Sequence, residues 1–230
     1  WRRLEDQYST PLFDNVKAES IKQGSLGDCY FVVGLIYASH DIDLVKSLFH
    51  PKSSLKHGVV LVYFWFLGER IPVIVDTQIA YYNKSSITPS FSHPRTNEDS
   101  GWFVLVEKAY AKACGGYSVI ESGKSSFGIH LMFDYFSTIF NPISDIIPIR
   151  TLEEAKKEIS DKNNKIFDIL NDLIKRKAMI GSGTPEEYSH DFPESIGIIN
   201  MHSYIIIGLN NLKNIPLIKL RNPWGESKYK

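Results

Sequence analysis

Apolar side chains recur at helical spacing just after residue 28. Cys29, Val32, Val33, Ile36 and Tyr37 stand at i, i+3, i+4, i+7 and i+8, which predicts a helix with one apolar face. The turn Gln-Gly-Ser-Leu-Gly at 23–27 precedes it and Asp28 is placed as its N-cap, so Cys29 falls at or beside the first helical position. A second short helix is expected over 41–49, closed by Pro51. Residues 59–67 form an unbroken apolar run of strand length, expected to be buried on both faces. Its partner is 71–75 across Gly68-Glu69, with Pro72 marking an edge strand or a strand entry. Trp102, Leu105, Val106, Ala109 and Ala113 return to helical spacing, stopped by Gly115-Gly116, and a further helical stretch is expected at 128–136.

Two prolines between 141 and 149 break the pattern, and a boundary placed there divides the chain into 1–140 and 141–230. Beyond it, the charged run 152–165 reads as a solvated helical surface, with Phe167, Leu170 and Ile174 as the buried stripe of the next helix. Short β-like runs follow at 178–181, 196–199, 204–207 and 215–220, separated in part by a polar loop over 184–193. A helical first half with one hairpin and a strand-rich second half make an α+β chain.

Composition narrows the functional classes. Of 230 residues 43% are hydrophobic, enough for a sizeable core. Lys+Arg and Asp+Glu balance at 26 each, so no overall field draws the chain to nucleic acid or to an anionic membrane. Two cysteines are not a disulfide framework, and free thiols fit a reducing, cytoplasmic compartment. No apolar run approaches the roughly 20 residues of a transmembrane helix.

Chemistry is concentrated at three places. A thiolate is the nucleophilic form of cysteine, and a helix N-terminus favours it. Cys29 has that setting, and its backbone N–H together with the Gln23 side-chain amide offers an oxyanion site. A lone cysteine on an apolar helix face is more often only a small core hydrophobe. Cys114 is the internal comparison, because it closes a helix, where the dipole opposes a thiolate, and reads as packing. Among seven histidines, His202 stands immediately before a strand, which positions a base rigidly. Asn222 heads Asn-Pro-Trp-Gly after another β-like run; its side-chain oxygen can orient an imidazole, and Trp224 can shield that bond from water. Asn-Pro and Gly are also ordinary turn signals. There is no basic stripe and no Cys/His ligand spacing to support a nucleic-acid binder or a metalloenzyme.

Taken jointly, Gln-Gly-Ser-Leu-Gly-Asp-Cys at 23–29, His202 opening a strand, and Arg-Asn-Pro-Trp-Gly-Glu at 221–226 resemble the calpain family of cysteine proteases. Glu107-Lys108-Ala109-Tyr110-Ala111-Lys112 and Gly68-Glu69-Arg70 with 73–76 extend the resemblance over essentially the whole chain. It implies a papain-like two-domain protease core, with Cys29 and the oxyanion residue Gln23 from the first domain, His202 and Asn222 from the second, and limited cuts in protein substrates through a thioester. It further implies that Trp224 shields the His–Asn bond and that Gly123 binds substrate backbone. Regulatory domains of calpain type are expected to flank the core.

Departures from the family pattern bear on this. Tyr30 stands where calpains carry Trp, and Met201-His202-Ser203-Tyr204 where they carry Gly-His-Ala-Tyr. Calcium is the candidate regulator, one ion per core domain. The first-domain ligand positions fall on Ser20, beside Glu19, and on His130, near Asp134. Calcium takes about six to eight oxygen ligands, which makes histidine a poor substitute. The alternative class is a non-catalytic regulatory homologue, against which the joint presence of Cys29, His202, Asn222 and Gln23 argues. A transglutaminase would pair its histidine with aspartate rather than with Asn222.

Overall fold

The structure, a computed structural model, describes residues 1–86, 88–135, 165–184, 198–212 and 215–225. The expected boundary near 141, the charged run 152–164 and most of the loop 184–193 lie outside the described residues. The described residues divide into two compact units, one within the spans 1–137, 181–205 and 222–230 and one within 138–180 and 206–221.

The first unit opens with β1 (Arg2–Arg3), α1 (Leu4–Gln7) and β2 (Ile21–Lys22), and then enters α2 (Cys29–Ala38). Tyr30, Phe31, Val32, Val33, Leu35, Ile36 and Ala38 are all buried, so α2 is enclosed on every side rather than along one stripe. An all-round apolar helix is a core helix. The short α3 (Ile42–Ser47) is capped by the Asp41 side chain, which accepts from Asp43 N–H.

Strands β3 (Val59–Phe66) and β4 (Glu69–Asp76) form an antiparallel hairpin in the register Val59↔Asp76 to Phe66↔Glu69. Its turn is Leu67-Gly68, one residue earlier than the expected Gly68-Glu69, and both residues have positive φ (51° and 78°). Positive φ at both central positions is the type I′ geometry that matches strand twist. Burial along β3 alternates: Val60, Val62 and Phe64 are buried while Val59 is 48% exposed. The expectation of burial on both faces is therefore corrected, because this hairpin is a two-stranded antiparallel sheet with one face on the core. Pro72 pairs with Tyr63, and in a two-stranded sheet its missing N–H costs no ladder bond on the outer side.

The short strands β5 (Gln78–Ile79) and β6 (His93–Pro94) pair antiparallel with β1 and β2. Helix α4 (Trp102–Cys114) packs against the hairpin and ends at Gly115 with φ of 104°. Phe31 stacks on Tyr110 with ring centroids 4.2 Å apart, which binds α2 to α4. Lys108 Nζ donates to Asp76 Oδ1 at 2.7 Å, and Lys112 Nζ to Ile74 O at 2.7 Å, which binds α4 to β4. Helix α5 (Ser125–Phe133) starts earlier than expected and stops at Asp134, where φ is 55°. Strand β7 (Gly181–Gly183) pairs with the first residues of β8 (Ser203–Leu212) in the register Gly183↔Ser203 to Gly181↔Ile205.

In the second unit residues 165–175 are helical, with Leu170 buried and Phe167 and Ile174 half-buried, so the expected stripe is present. The later part of β8 pairs with β9 (Ile215–Arg221).

Candidate active site

Every residue singled out for chemistry lies in the first unit. Cys29 is the first residue of α2 and is half-buried. Phe31 and Val32 N–H groups both donate to Asp28 O, at 2.8 and 3.1 Å, so the helix is wound from its first turn. The N–H of a first helical residue has no partner within its own helix, which leaves that of Cys29 available to a developing negative charge. Asp28 occupies the N-cap position, but its side chain makes no cap bond. It is fully buried and turned inward instead.

The turn before Cys29 is held from several directions. Gln23 N–H donates to Pro223 O at 3.0 Å, Ser25 N–H to Ser90 O at 3.1 Å, and Ser25 Oγ to the same carbonyl at 2.7 Å. A Cβ on Gly24 would lie 2.2 Å from Phe91 O, so only glycine allows that backbone approach. The Gln23 side chain is buried, and its Nε2 donates to Leu26 O at 2.7 Å and lies 3.5 Å from Asp28 Oδ1. Gln23 Oε1 has no partner among the described residues. Gly123 lies against Tyr30, the residue after Cys29: a Cβ there would be 2.5 Å from the Tyr30 ring. Tyr30 Oη in turn bonds Tyr110 Oη (3.0 Å) and Ile120 O (3.1 Å). Ser122 N–H donates to Gly27 O at 2.9 Å, so the glycine's own loop is tied to the same turn.

His202 is 5% exposed and stands just before β8. Its backbone is clamped by Thr184, whose Oγ1 accepts from His202 N–H (3.0 Å) and whose N–H donates to His202 O (3.0 Å). The imidazole Nε2 lies 2.9 Å from Asn222 Oδ1. Trp224 N–H donates to that same oxygen at 2.9 Å, which fixes the Asn222 amide with its oxygen toward the histidine. An oxygen can only accept, so Nε2 must carry a hydrogen, and in the neutral ring Nδ1 is left as the free base. The Trp224 indole lies 4.8 Å from the imidazole and Tyr204 5.0 Å, edge-on. Burial lowers the His202 pKa from its ordinary 6.5, and the bond to Asn222 partly restores it. The Tyr204 phenol is pushed up chiefly by burial, eased by its bond with Ile199, with a smaller push from Cys29.

Cys114, by contrast, is the last residue of α4, and burial pushes its thiol up. It has the character of a packed, unreactive thiol.

The expected first-domain calcium positions are engaged in other contacts. Ser20 Oγ is buried and donates to Asp99 Oδ1 at 2.7 Å, while Lys17 Nζ lies 3.2 Å from that same oxygen. A cation would compete there with a lysine. His130 Nδ1 stands 4.0 Å from Asp134 Oδ1 on the surface of α5. Among the described residues no three His, Cys, Asp or Glu side chains gather to hold a metal ion. A hydroxyl already bonded to Asp99 and an imidazole are weak donors for a hard cation.

One feature lay beyond sequence patterning. Met201, adjacent to His202, has φ of +50° and is 62% exposed. The left-handed region costs a non-glycine residue roughly 1–2 kcal/mol, which explains why glycine suits the position. No helix among the described residues is long and apolar enough to cross a membrane.

Two outcomes are expected. Met201→Gly raises stability by about 0.5–1 kcal/mol in urea unfolding, the relief of strain being partly offset by glycine's entropy. In a Cys29→Ala background, His202 titrates by NMR below 6.5, and Asn222→Ala moves it lower still. Because the folded state then binds fewer protons than the unfolded one, His202 contributes stability that is lost as pH falls through that interval.

The sequence pattern of the calpain family of cysteine proteases matches residues 1–230. Calpain-14 of Homo sapiens is 26% identical across 100% of this chain and 32% of its own length. Calpain-5 of Mus musculus is 25% identical across 100% of the chain and 38% of its own length. Calpain-B of Drosophila melanogaster is 25% identical across 98% of the chain and 24% of its own length. The chain thus spans about a quarter to two fifths of the length of these relatives.

Proposed function

Because the chain belongs to the calpain family of cysteine proteases, we propose that it is the papain-like, two-domain catalytic core of a cysteine endopeptidase that makes limited cuts in cytoplasmic proteins. On this reading the segment 1–140 supplies Cys29 and Gln23, the segment 141–230 supplies His202 and Asn222, and calpain-type regulatory domains flank them. The observation that carries it is the His202 Nε2–Asn222 Oδ1 bond, its direction set by the Trp224 N–H. That arrangement leaves Nδ1 free as a base, in a chain whose cysteine opens a helix.

The reaction runs in two halves. His202 Nδ1 takes the Cys29 thiol proton, and the thiolate sulfur attacks the scissile carbonyl carbon. The carbonyl electron pair moves onto oxygen, where Cys29 N–H and a Gln23 Nε2 hydrogen receive it. The Nε2 hydrogen that faces Asp28 at 3.5 Å is shared with the oxyanion, while the 2.7 Å bond to Leu26 O holds the amide in place. On collapse the C–N bond breaks, and the imidazolium gives its proton to the leaving amine. Water then attacks the thioester, passes a proton to Nδ1, and the C–S bond breaks as sulfur recovers that proton. Gly123, whose backbone lies close against the Tyr30 ring because no side chain intervenes, offers its peptide groups to an extended substrate, and Trp224 keeps water from the His–Asn bond.

Met201, Tyr30 and the changed calcium positions Ser20 and His130 are the features that favour a regulatory, non-cleaving homologue. Cleavage of an unfolded protein such as casein by the full-length protein, with calcium and with chelator, separates the two. Activity is expected to vanish in Cys29→Ala and to fall about 10²–10⁴-fold in His202→Ala. No cleavage under either condition moves the reading to the regulatory homologue.

A further inference from the structure

Beneath the nucleophile turn lie two acids that this mechanism does not use. Asp28 and Glu107 are each 0% exposed, one before α2 and the other in mid-α4. Glu107 Oε1 and Oε2 accept from Ser92 N–H at 3.2 and 3.1 Å. Asp28 Oδ1 faces Gln23 Nε2, whereas Asp28 Oδ2 is buried without a donor among the described residues. The two carboxyls are within hydrogen-bonding reach of one another. Ionised carboxylates only accept, and two of them in contact inside a protein cannot both stay charged.

We infer that Asp28 and Glu107 hold one proton between them, donated from Glu107 to Asp28 Oδ2, and that this pair is a positioning element for the nucleophile turn. The inference rests on the protease reading of Cys29. It accounts for the orphaned oxygen and for an acid buried where α4 otherwise packs apolar side chains.

The proton belongs on Glu107 for a physical reason. Burial is the leading influence on both acids, and it holds Glu107 well above the usual carboxyl range, with the Asp28 charge adding to the push. Asp28 is raised to about 6, its charged form being eased by the bonds from Glu107, its own N–H and Gln23. The remaining titratable groups that sense the pair are Tyr30 on α2 and Tyr117 after α4, both phenols pushed upward and neutral. One negative charge therefore remains, on Asp28 at the N-terminus of α2, where the helix dipole favours it.

Each end of the pair grips a different part of the turn. Glu107 holds Ser92 N–H. The same 90–92 segment receives Ser25 at Ser90 O and presses Phe91 O against Gly24. Asp28 faces Gln23, the proposed oxyanion donor. Loss of the shared proton would set two like charges against each other one residue from Cys29, and would loosen both grips.

The test compares Glu107→Gln with Glu107→Met in the full-length protein. Gln keeps an oxygen for Ser92 N–H and supplies a permanent N–H for Asp28 Oδ2, whereas Met supplies neither. Near neutral pH the wild type is expected to show the infrared C=O band of a protonated buried carboxyl, and Glu107→Gln to lack it. Iodoacetamide alkylation of Cys29 and kcat/KM on a peptide are expected to stay within about threefold of wild type in Gln, and kcat/KM to fall about a hundredfold in Met. Both acids are raised on folding, so the native state binds more protons and the pair's stability contribution is lost as pH rises. Stability should thus decline less between pH 6 and 9 in Glu107→Gln than in wild type. Absence of the infrared band in wild type overturns the shared proton, and so does a Gln variant as impaired as Met. Unchanged kcat/KM in Met overturns the positioning role. The infrared and alkylation readings do not need a cleavable substrate, so failure of the protease reading shows separately, as a wild type that carries the band and alkylates but cleaves nothing.

Discussion

The backbone bond from Gln23 N–H to Pro223 O, 3.0 Å long, joins the turn that leads into Cys29 to the turn whose Asn222 holds His202. The residues it connects are distant in sequence, yet each belongs to a segment held firmly on its other side. Gln23 leads through a glycine turn into α2, a helix buried all round. Pro223 sits between Asn222, which holds His202, and Trp224, whose N–H holds Asn222. Gly225 reinforces the joint, since a Cβ there would stand 3.1 Å from the Lys22 side chain. A rigid helix, an inter-segment hydrogen bond and a clamped amide therefore restrain the segments that carry Cys29 and hold His202. Precision of this kind is what general-base chemistry requires.

Much of this was legible from local pattern. Cys29 at a helix start, His202 at a strand entry, Asn222 in an Asn-Pro turn and the helix 102–114 all follow from short-range signals that the structure keeps. What escaped is non-local. The i, i+3, i+4 pattern of 29–37 describes one apolar face and cannot say that neighbouring elements cover the other. The apolar run 59–67 suggests a strand buried twice, but only one face of the hairpin packs on the core, so Val60, Val62 and Phe64 are buried while the alternate residues are half-buried or, at Val59, exposed. Glu107 reads as one more charge in a Glu-Lys-Ala-Tyr-Ala-Lys helix, and only the packing of α4 against residues 90–92 shows it to be enclosed. Asp28 reads as a cap because its position is a cap; its side chain turns inward because an acid and an amide wait there. Met201 carries no sign in the sequence of its left-handed backbone.

Family membership constrains the chain as a whole more tightly than it constrains any one position. At about 25% identity over the whole chain, the family is secure, while individual positions are free to differ. Tyr30 shows how such a difference is absorbed. Its phenol spans from the nucleophile helix to Tyr110 and Ile120, and its ring leaves room for Gly123 alone. Ser20 shows the opposite case, a position that has joined an internal Asp99–Lys17 network in which a calcium ion would have to displace a lysine.

The most direct measurement is irreversible labelling by an epoxide or vinyl-sulfone cysteine-protease inhibitor, with the modified residue located by mass spectrometry. Such a probe reports an activated thiol beside a base without requiring that the natural substrate be known. The account predicts labelling of Cys29, none of Cys114, and loss of labelling in His202→Ala. Equal labelling of both cysteines, or labelling of Cys29 that survives His202→Ala, would contradict it.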